Sequence, residues 1–259
     1  MPINTNISTK HIAHHFASSH ATYADNATVQ NIISSKLVQM VCDYVPTALN
    51  RVLEIGCGVG NLTDKLCQNH AINTLYLNDL YDKITQNQPP TTANVHYLVA
   101  DIETMALPDE LDLVVSGSCL QWVKDLSCVC QKVQHALVPD GVFAFSSFGV
   151  DNFYQIKRLT GQGLDYHTLA QIGRMIQRAN LSLEQLWERQ YTLHFDHPHA
   201  VLKHIQNTGV SGAGTNFRWN KSRLQQFYQQ YQQFAIKDDD RWQYPLTYHA
   251  IFCVAKNQS

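Results

Sequence analysis

Apolar positions along the chain change their period several times, and each change marks an element. Between residues 27 and 45, Val29, Ile32, Ile33, Leu37, Met40, Val41 and Tyr44 recur three and four apart, which predicts a helix that Pro46 ends. Upstream, residues 8–23 read as a short helix and turn with Ile12 and Phe16 on one side. From residue 51 the runs shorten and alternate in type. Strands are predicted at Arg51–Ile55, Thr74–Asn78, Val95–Ala100, Leu111–Ser116 and Val142–Ser147. Helices fall between them at Asn61–Gln68, ahead of the Pro89-Pro90 break, and at Asp125–Leu137, where Asp125 is the cap. Pro139-Asp140-Gly141 reads as a turn.

Repeated strand–helix units with β-branched strands imply a mostly parallel sheet with helices on both faces, a doubly wound α/β fold. After residue 150 the alternation stops. Residues 151–190 read as mostly helical, followed by a strand at Tyr191–Phe195, helices at Pro198–Asn207 and Lys221–Phe234, and a last strand at Thr247–Ala255. The glutamine-rich RLQQFYQQYQQF keeps Leu224, Phe227, Tyr228, Tyr231 and Phe234 at helical spacing, so it is an amphipathic helix and not a polyglutamine tract. The expectation is one domain over 1–259 with seven strands. It comprises an N-terminal helical lid (1–48), a core (49–150), helical cap segments (151–190 and 198–240) and closing strands (191–196 and 246–255).

Composition narrows the function classes. At 259 residues and 44% hydrophobic the chain can bury a full core. No apolar run approaches the ~20 residues of a membrane span, and the first residues lack a secretory apolar region, so a cytoplasmic protein is expected. The seven cysteines are irregularly spaced and read as reduced, mostly buried thiols; no metal site is expected from them or from the histidines. The net charge of −2 hides an asymmetry. Residues 1–150 carry 7 Lys/Arg against 13 Asp/Glu, and residues 151–259 carry 12 against 8. That is weak for nucleic acid and suits a small acidic partner.

The sharpest motif is Leu53-Glu54-Ile55-Gly56-Cys57-Gly58-Val59-Gly60, between a predicted strand and the helix that opens at Asn61. Glycines let backbone turn tightly and approach a ligand. The G-x-G-x-G spacing differs from the dinucleotide fingerprint and argues against a pyrophosphate cradle. Asp79-Leu80 follows the second strand, where a carboxylate can accept both ribose hydroxyls. Asp101-Ile102 follows the third, an acid and an aliphatic side chain suited to the amino edge and face of adenine. This constellation resembles the class I S-adenosylmethionine-dependent methyltransferases, with a Rossmann-like fold. The resemblance implies S-adenosylmethionine as cofactor and S-adenosylhomocysteine as product. It also implies that Glu54, Gly56, Gly58, Gly60, Asn61, Asp79, Leu80, Asp101, Ile102 and Ser118 bind the cofactor, and that Gln121 and Trp122 line the methyl-transfer site. Trp122 alone equally suits a packing aromatic.

The flanks are similar to one family within that class, the malonyl-[acyl-carrier protein] O-methyltransferases of biotin synthesis. The similarity lies in Phe16–Tyr23 with Val29-Gln30, in Asp151–Lys157, Leu159–Gly161 and Gly163–Tyr166, in Leu202–Val210, and in Pro245–His249. His20 and Ala24 depart from its pattern beside Tyr23. The family implies methylation of the free carboxylate of a malonyl thioester. Tyr23, in the lid, would offer a hydroxyl to hold that carboxylate or the cofactor's amino-acid end. An acidic acyl carrier protein would be the partner, steered by Arg174, Arg178, Arg218, Lys221 and Arg223, with a monomer favoured and no nucleic acid or membrane. The alternatives are a methyltransferase of a free small acid or quinone precursor, and a catalytically silent cofactor-binding partner.

Overall fold

The structure is a computed structural model and describes residues 3–4, 27–208 and 219–258. In chain order the elements are α1 (Thr28–Cys42), β1 (Ala48–Ile55), α2 (Asn61–Asn69), β2 (Ala71–Asp79), β3 (Asn94–Val99), β4 (Leu111–Gly117), α3 (Leu126–Ala136), β5 (Leu137–Phe148), α4 (Tyr154–Thr160), α5 (Leu169–Arg178), β6 (Leu181–Phe195), α6 (Pro198–Asn207), α7 (Lys221–Tyr231), β7 (Ile236–Asp238) and β8 (Arg241–Asn257). Short 3₁₀ turns cover Asp82–Gln86, Leu120–Trp122 and Gln232–Phe234.

The sheet runs β3-β2-β1-β4-β5-β8-β6, seven strands on the main path, with the short β7 paired to the start of β8. β1 to β5 are parallel, and β8 is antiparallel to both β5 and β6. The order reverses at β1. Its carboxyl end and that of β4 therefore open a crevice, the place where doubly wound sheets bind ligands.

Both faces of the sheet are covered at its centre, so the central strands are apolar without alternation; Leu111, Leu113, Val114 and Val115 of β4 are all fully buried. One layer holds α1, α2, α6 and α7, through Ile33, Leu37, Leu66, Val201, Phe227 and Tyr231. The other holds α3 and α5, through Val129, Val133, Ile172 and Ile176. Asp125 caps α3 as expected, its Oδ1 accepting from Cys128 N at 3.1 Å.

Three expectations change. The lid segment divides: α1 is part of the core, with Val29, Ile33, Leu37 and Val41 buried, and residues 5–26 lie outside the described residues. Pro139-Asp140-Gly141 is not a turn ahead of the strand. It is an excursion inside β5, where Asp140 takes φ +61° and the register with β4 jumps from Leu111↔Leu137 to Leu113↔Val142. Residues 181–190 are strand, not helix. β6 is an edge strand bonded to β8 alone and bulged between Leu183 and Gln185, so its apolar alternation is interrupted and partly polar. With β8 it forms a 14-pair ribbon reaching from Asn257 to Tyr244.

Candidate active site

The turn after β1 is held to its neighbours by backbone. Gly56 N and Cys57 N both donate to Asn78 O, at 2.8 and 3.0 Å. The Asn78 amide donates to Leu98 O and Ala100 O, both at 2.9 Å, and so fastens β2 to the end of β3. Gly56 sits at φ +72°, and a Cβ there would lie 2.2 Å from Cys119 Sγ; the turn needs glycine for its conformation and for that contact. Gly58, at φ +51°, has nothing within 4 Å of a Cβ position and faces open space. Gly60 N-caps α2 in the left-handed region and turns the chain rather than lining the crevice.

The crevice is framed by the ends of β1, β2, β3 and β4, and by α1. Glu54, Asn61, Asp79, Leu80, Asp101, Ile102, Ser118 and Trp122 line it, with Gly56 and Gly58. Asp79 receives Gly58 N on Oδ2 at 2.9 Å and Tyr81 N on Oδ1 at 3.1 Å, so both oxygens are fixed in place. Burial raises its carboxyl above the usual range, and those amides partly offset this. Asp101 Oδ1 accepts from Glu103 N at 2.9 Å, which forms the turn that carries Ile102. Glu54 is buried beneath the glycines, with Thr63 Oγ1 donating to its Oε2 at 2.6 Å. Burial pushes its carboxyl up to about 8; Thr63 opposes this, and Asp79 and Asp64 add to it. Burial likewise raises the Cys57 and Cys119 thiols well above the ordinary range, so both are neutral lining groups rather than nucleophiles.

Two further polar atoms are buried and unpartnered: Oγ of Ser118, at φ +53° after β4, and Oε1 of Gln30 on α1. Each belongs to a residue of the crevice wall. A wall of carboxylates and neutral acceptors, with no lysine, arginine or histidine among its described residues, suits a ligand that carries positive charge and donor groups.

Besides Gly60, Gln121 is an expected site residue that does not line the crevice. Gln121 is buried but turned away from the crevice, with Nε2 donating to Ser118 O at 2.5 Å. The 3₁₀ turn at Leu120–Trp122 sends consecutive side chains to different sides, so Trp122 faces the crevice while Gln121 holds the loop that presents Ser118. The Gln121 Oε1 is buried without a partner. Tyr23 and Arg218 lie outside the described residues. The remaining basic residues are exposed but in different layers: Arg174 and Arg178 on α5, Lys221 and Arg223 on α7. Arg178 precedes Leu181, which pairs with Asn257 at the end of the sheet remote from the crevice, so these residues form no single rim.

A methyltransferase domain family matches residues 53–145. A malonyl-[acyl-carrier protein] O-methyltransferase of Acinetobacter baylyi is 40% identical over 98% of this chain and 99% of its own length. The chain belongs to the malonyl-[acyl-carrier protein] O-methyltransferase family. A second member, from Prosthecochloris aestuarii, is 36% identical over 89% of the chain and 87% of its own. Among solved structures, a putative methyltransferase of Bacillus halodurans shares the fold at 15% identity, with a TM-score of 0.63 over 87% of this chain and 99% of that one.

Within this O-methyltransferase family the terminal Thr247-Tyr248-His249 segment gains a physical role. Thr247 and Gln155 exchange hydrogen bonds, Thr247 N to Oε1 at 3.2 Å and Nε2 to Thr247 Oγ1 at 2.9 Å. Phe153 N donates to Thr247 O, and His249 N donates to Asn152 Oδ1. Asn152 Nδ2 in turn donates to the Tyr166 hydroxyl at 2.9 Å, and burial pushes that phenol up to about 12. The adjacent Leu164, 2% exposed, packs on Leu80 and Trp122 of the crevice wall. β8 thus holds the segment after β5, which in turn holds the apolar lip of the crevice. No helix among the described residues is long and apolar enough to cross a membrane.

Proposed function

We propose that this protein transfers a methyl group from S-adenosylmethionine to the free carboxylate of a malonyl group carried on acyl carrier protein, the step that primes the pimeloyl chain of biotin. The observation that carries the reading is the 40% identity to a protein of that name, which extends over 98% of the chain and so includes the segments outside the glycine loop. The crevice supports the cofactor. Asp79 offers fixed acceptors for two ribose hydroxyls, Asp101 with Ile102 an edge and a face for adenine, and Gly58 an open approach to backbone. Bound S-adenosylmethionine supplies a methyl group already activated on a sulfonium.

The chain's own task is then small. A malonyl carboxylate is ionised at neutral pH, so no residue has to remove a proton. Trp122, Leu80 and Leu164 present an apolar lip that keeps water from the reacting atoms, and Gln121 holds the loop beneath them. Tyr23 would add a hydroxyl from the segment preceding α1. For docking an acidic carrier, the surface around α7 fits better than α5. α4 leaves the crevice end of β5 and packs against α7, which brings exposed Arg158 beside the helix whose first turn bears Lys221 and Arg223.

Incubating the protein with S-adenosylmethionine and malonyl-acyl carrier protein should give, by intact mass, a carrier on which one methyl group has replaced the carboxyl proton. Equal or faster methylation of free malonic acid would favour the free-acid reading, and cofactor binding without transfer to any malonyl substrate would favour a silent partner.

A further inference from the structure

α1 carries an anomaly. Its inward face is apolar at Val29, Ile33, Leu37 and Val41, yet Gln30 and Ser34, one turn apart, are also buried, at 5% and 6% exposure. A glutamine in a core costs free energy unless its amide is hydrogen-bonded. Gln30 Oε1 has no partner, and both residues stand in the wall of the crevice. α1 is fastened to α2 by Lys65 Nζ donating to Asn31 Oδ1 at 2.9 Å, and α1 packs against β4, β5 and β8.

That placement separates Gln30 from the acids assigned to the nucleoside. Asp79 and Asp101 end β2 and β3, on one side of β1; α1 and Ser118 of β4 stand on the other. A ligand lying along the crevice with its base at Asp101 and its ribose at Asp79 extends past the glycine turn toward α1. The part of S-adenosylmethionine beyond its sulfur is an amino acid, with an ammonium donor and a carboxylate acceptor. The described crevice wall has no basic side chain to meet that carboxylate, and on this side it offers the neutral amide of Gln30 and the hydroxyl of Ser34. A primary amide serves both groups, its oxygen accepting from the ammonium and its nitrogen donating to the carboxylate.

We infer that Gln30, with Ser34 beside it, is the receptor for the charged amino-acid end of the cofactor. This rests on the cofactor reading above and adds to it a residue that the glycine motif does not contain. Replacing an unpartnered amide with an apolar side chain of similar size should leave the fold intact, so Gln30→Leu and Gln30→Met should melt no lower than the parent protein.

The test compares two ligands by calorimetry: S-adenosylhomocysteine, and 5′-methylthioadenosine, the same nucleoside thioether without the amino-acid end. Hydrogen bonds to charged groups predict that Gln30→Leu weakens S-adenosylhomocysteine by roughly 10- to 150-fold. Affinity for 5′-methylthioadenosine should stay within about twofold, because that ligand lacks the groups concerned. Equal weakening of both ligands, or unchanged affinity for S-adenosylhomocysteine, in both variants would overturn the assignment while leaving the cofactor reading in place. A parent protein that binds neither ligand would overturn both. A marked fall in melting temperature in both variants would make Gln30 a structural residue and also count against it.

Discussion

Glu54→Gln is the most informative single change, because it separates the cost of the site from its use. Glu54 is 1% exposed, and its carboxyl accepts a hydrogen bond from the Thr63 hydroxyl. Burial pushes its carboxyl from 4.5 to about 8. Below pH 4.5 the group is protonated in both the folded and the unfolded chain, and contributes no pH dependence. Between pH 4.5 and 8 the unfolded chain releases the proton and the folded one keeps it, so the unfolded state is favoured as pH rises. At ~1.36 kcal/mol per pH unit, the loss across that window is on the order of 5 kcal/mol, and it levels off above pH 8. Glutamine keeps an acceptor for Thr63 and has no proton to lose. Urea unfolding of the ligand-free parent and of Glu54→Gln at pH 5, 6.5 and 8 should therefore diverge, with the variant gaining on the parent at each step. Using the difference cancels Asp79, whose raised carboxyl slopes the same way in both proteins. A difference that does not grow with pH would refute the claim that Glu54 is held neutral.

Gly56→Ala should destabilise the protein by about 1–3 kcal/mol through overpacking and an unfavourable φ, since its Cβ would meet Cys119 Sγ at 2.2 Å; Cys119→Gly in the same chain should recover part of the loss, read by thermal melting. Asp79→Ala should weaken S-adenosylhomocysteine by ~1.5–3 kcal/mol, and Gly58→Val should abolish its binding at a folding cost of about 1–2 kcal/mol, both by calorimetry. Carrier-protein binding should weaken as salt rises and the screening length falls from ~10 Å at 0.1 M to ~3 Å at 1 M. Charge reversal at Lys221 or Arg223 should mimic salt, whereas reversal at Arg178, at the far end of the sheet, should leave carrier affinity unchanged.

The centre of the parallel core was legible because β4 and most of β1 and β5 are buried on both sides, so the sequence is apolar there in short runs closed by glycine, aspartate or proline. The acids at the strand ends were legible for a related reason: a carboxylate at 79 or 101 has no place inside the sheet and marks where it ends. β6 was not legible, because an edge strand that is half-exposed and bulged keeps neither strict alternation nor a continuous apolar run. The direction of the Gln121 side chain was not legible, because adjacency in sequence says nothing of direction within a 3₁₀ turn. Gln30 and Asn78 did leave a signal. Each is a polar residue at a position whose period demands an apolar one, and each is buried with its amide either committed to backbone, as for Asn78, or open, as for Gln30.

These observations lead to one more measurement. The carboxyls of Glu54 and Asp79 are both raised by burial, so this wall disfavours negative charge that no cation balances. A ligand bearing an ammonium, and a sulfonium as well, supplies the missing counter-charge and makes ionisation of Glu54 favourable. Binding must then release a proton below pH 8, and the release must fade above it. Calorimetry at pH 7 in two buffers of different ionisation enthalpy should show a buffer-dependent heat for S-adenosylmethionine. Linkage also requires the affinity to rise between pH 6 and 8. Glu54→Gln should lose the buffer dependence and bind the cationic ligand more weakly. The loss should be smaller for S-adenosylhomocysteine, which lacks the sulfonium. A buffer-independent heat in the parent protein would mean that Glu54 stays protonated when the crevice is filled. The cation would then be balanced by Asp79 or Asp101 alone, and Glu54 would be a structural acid that braces the turn through Thr63.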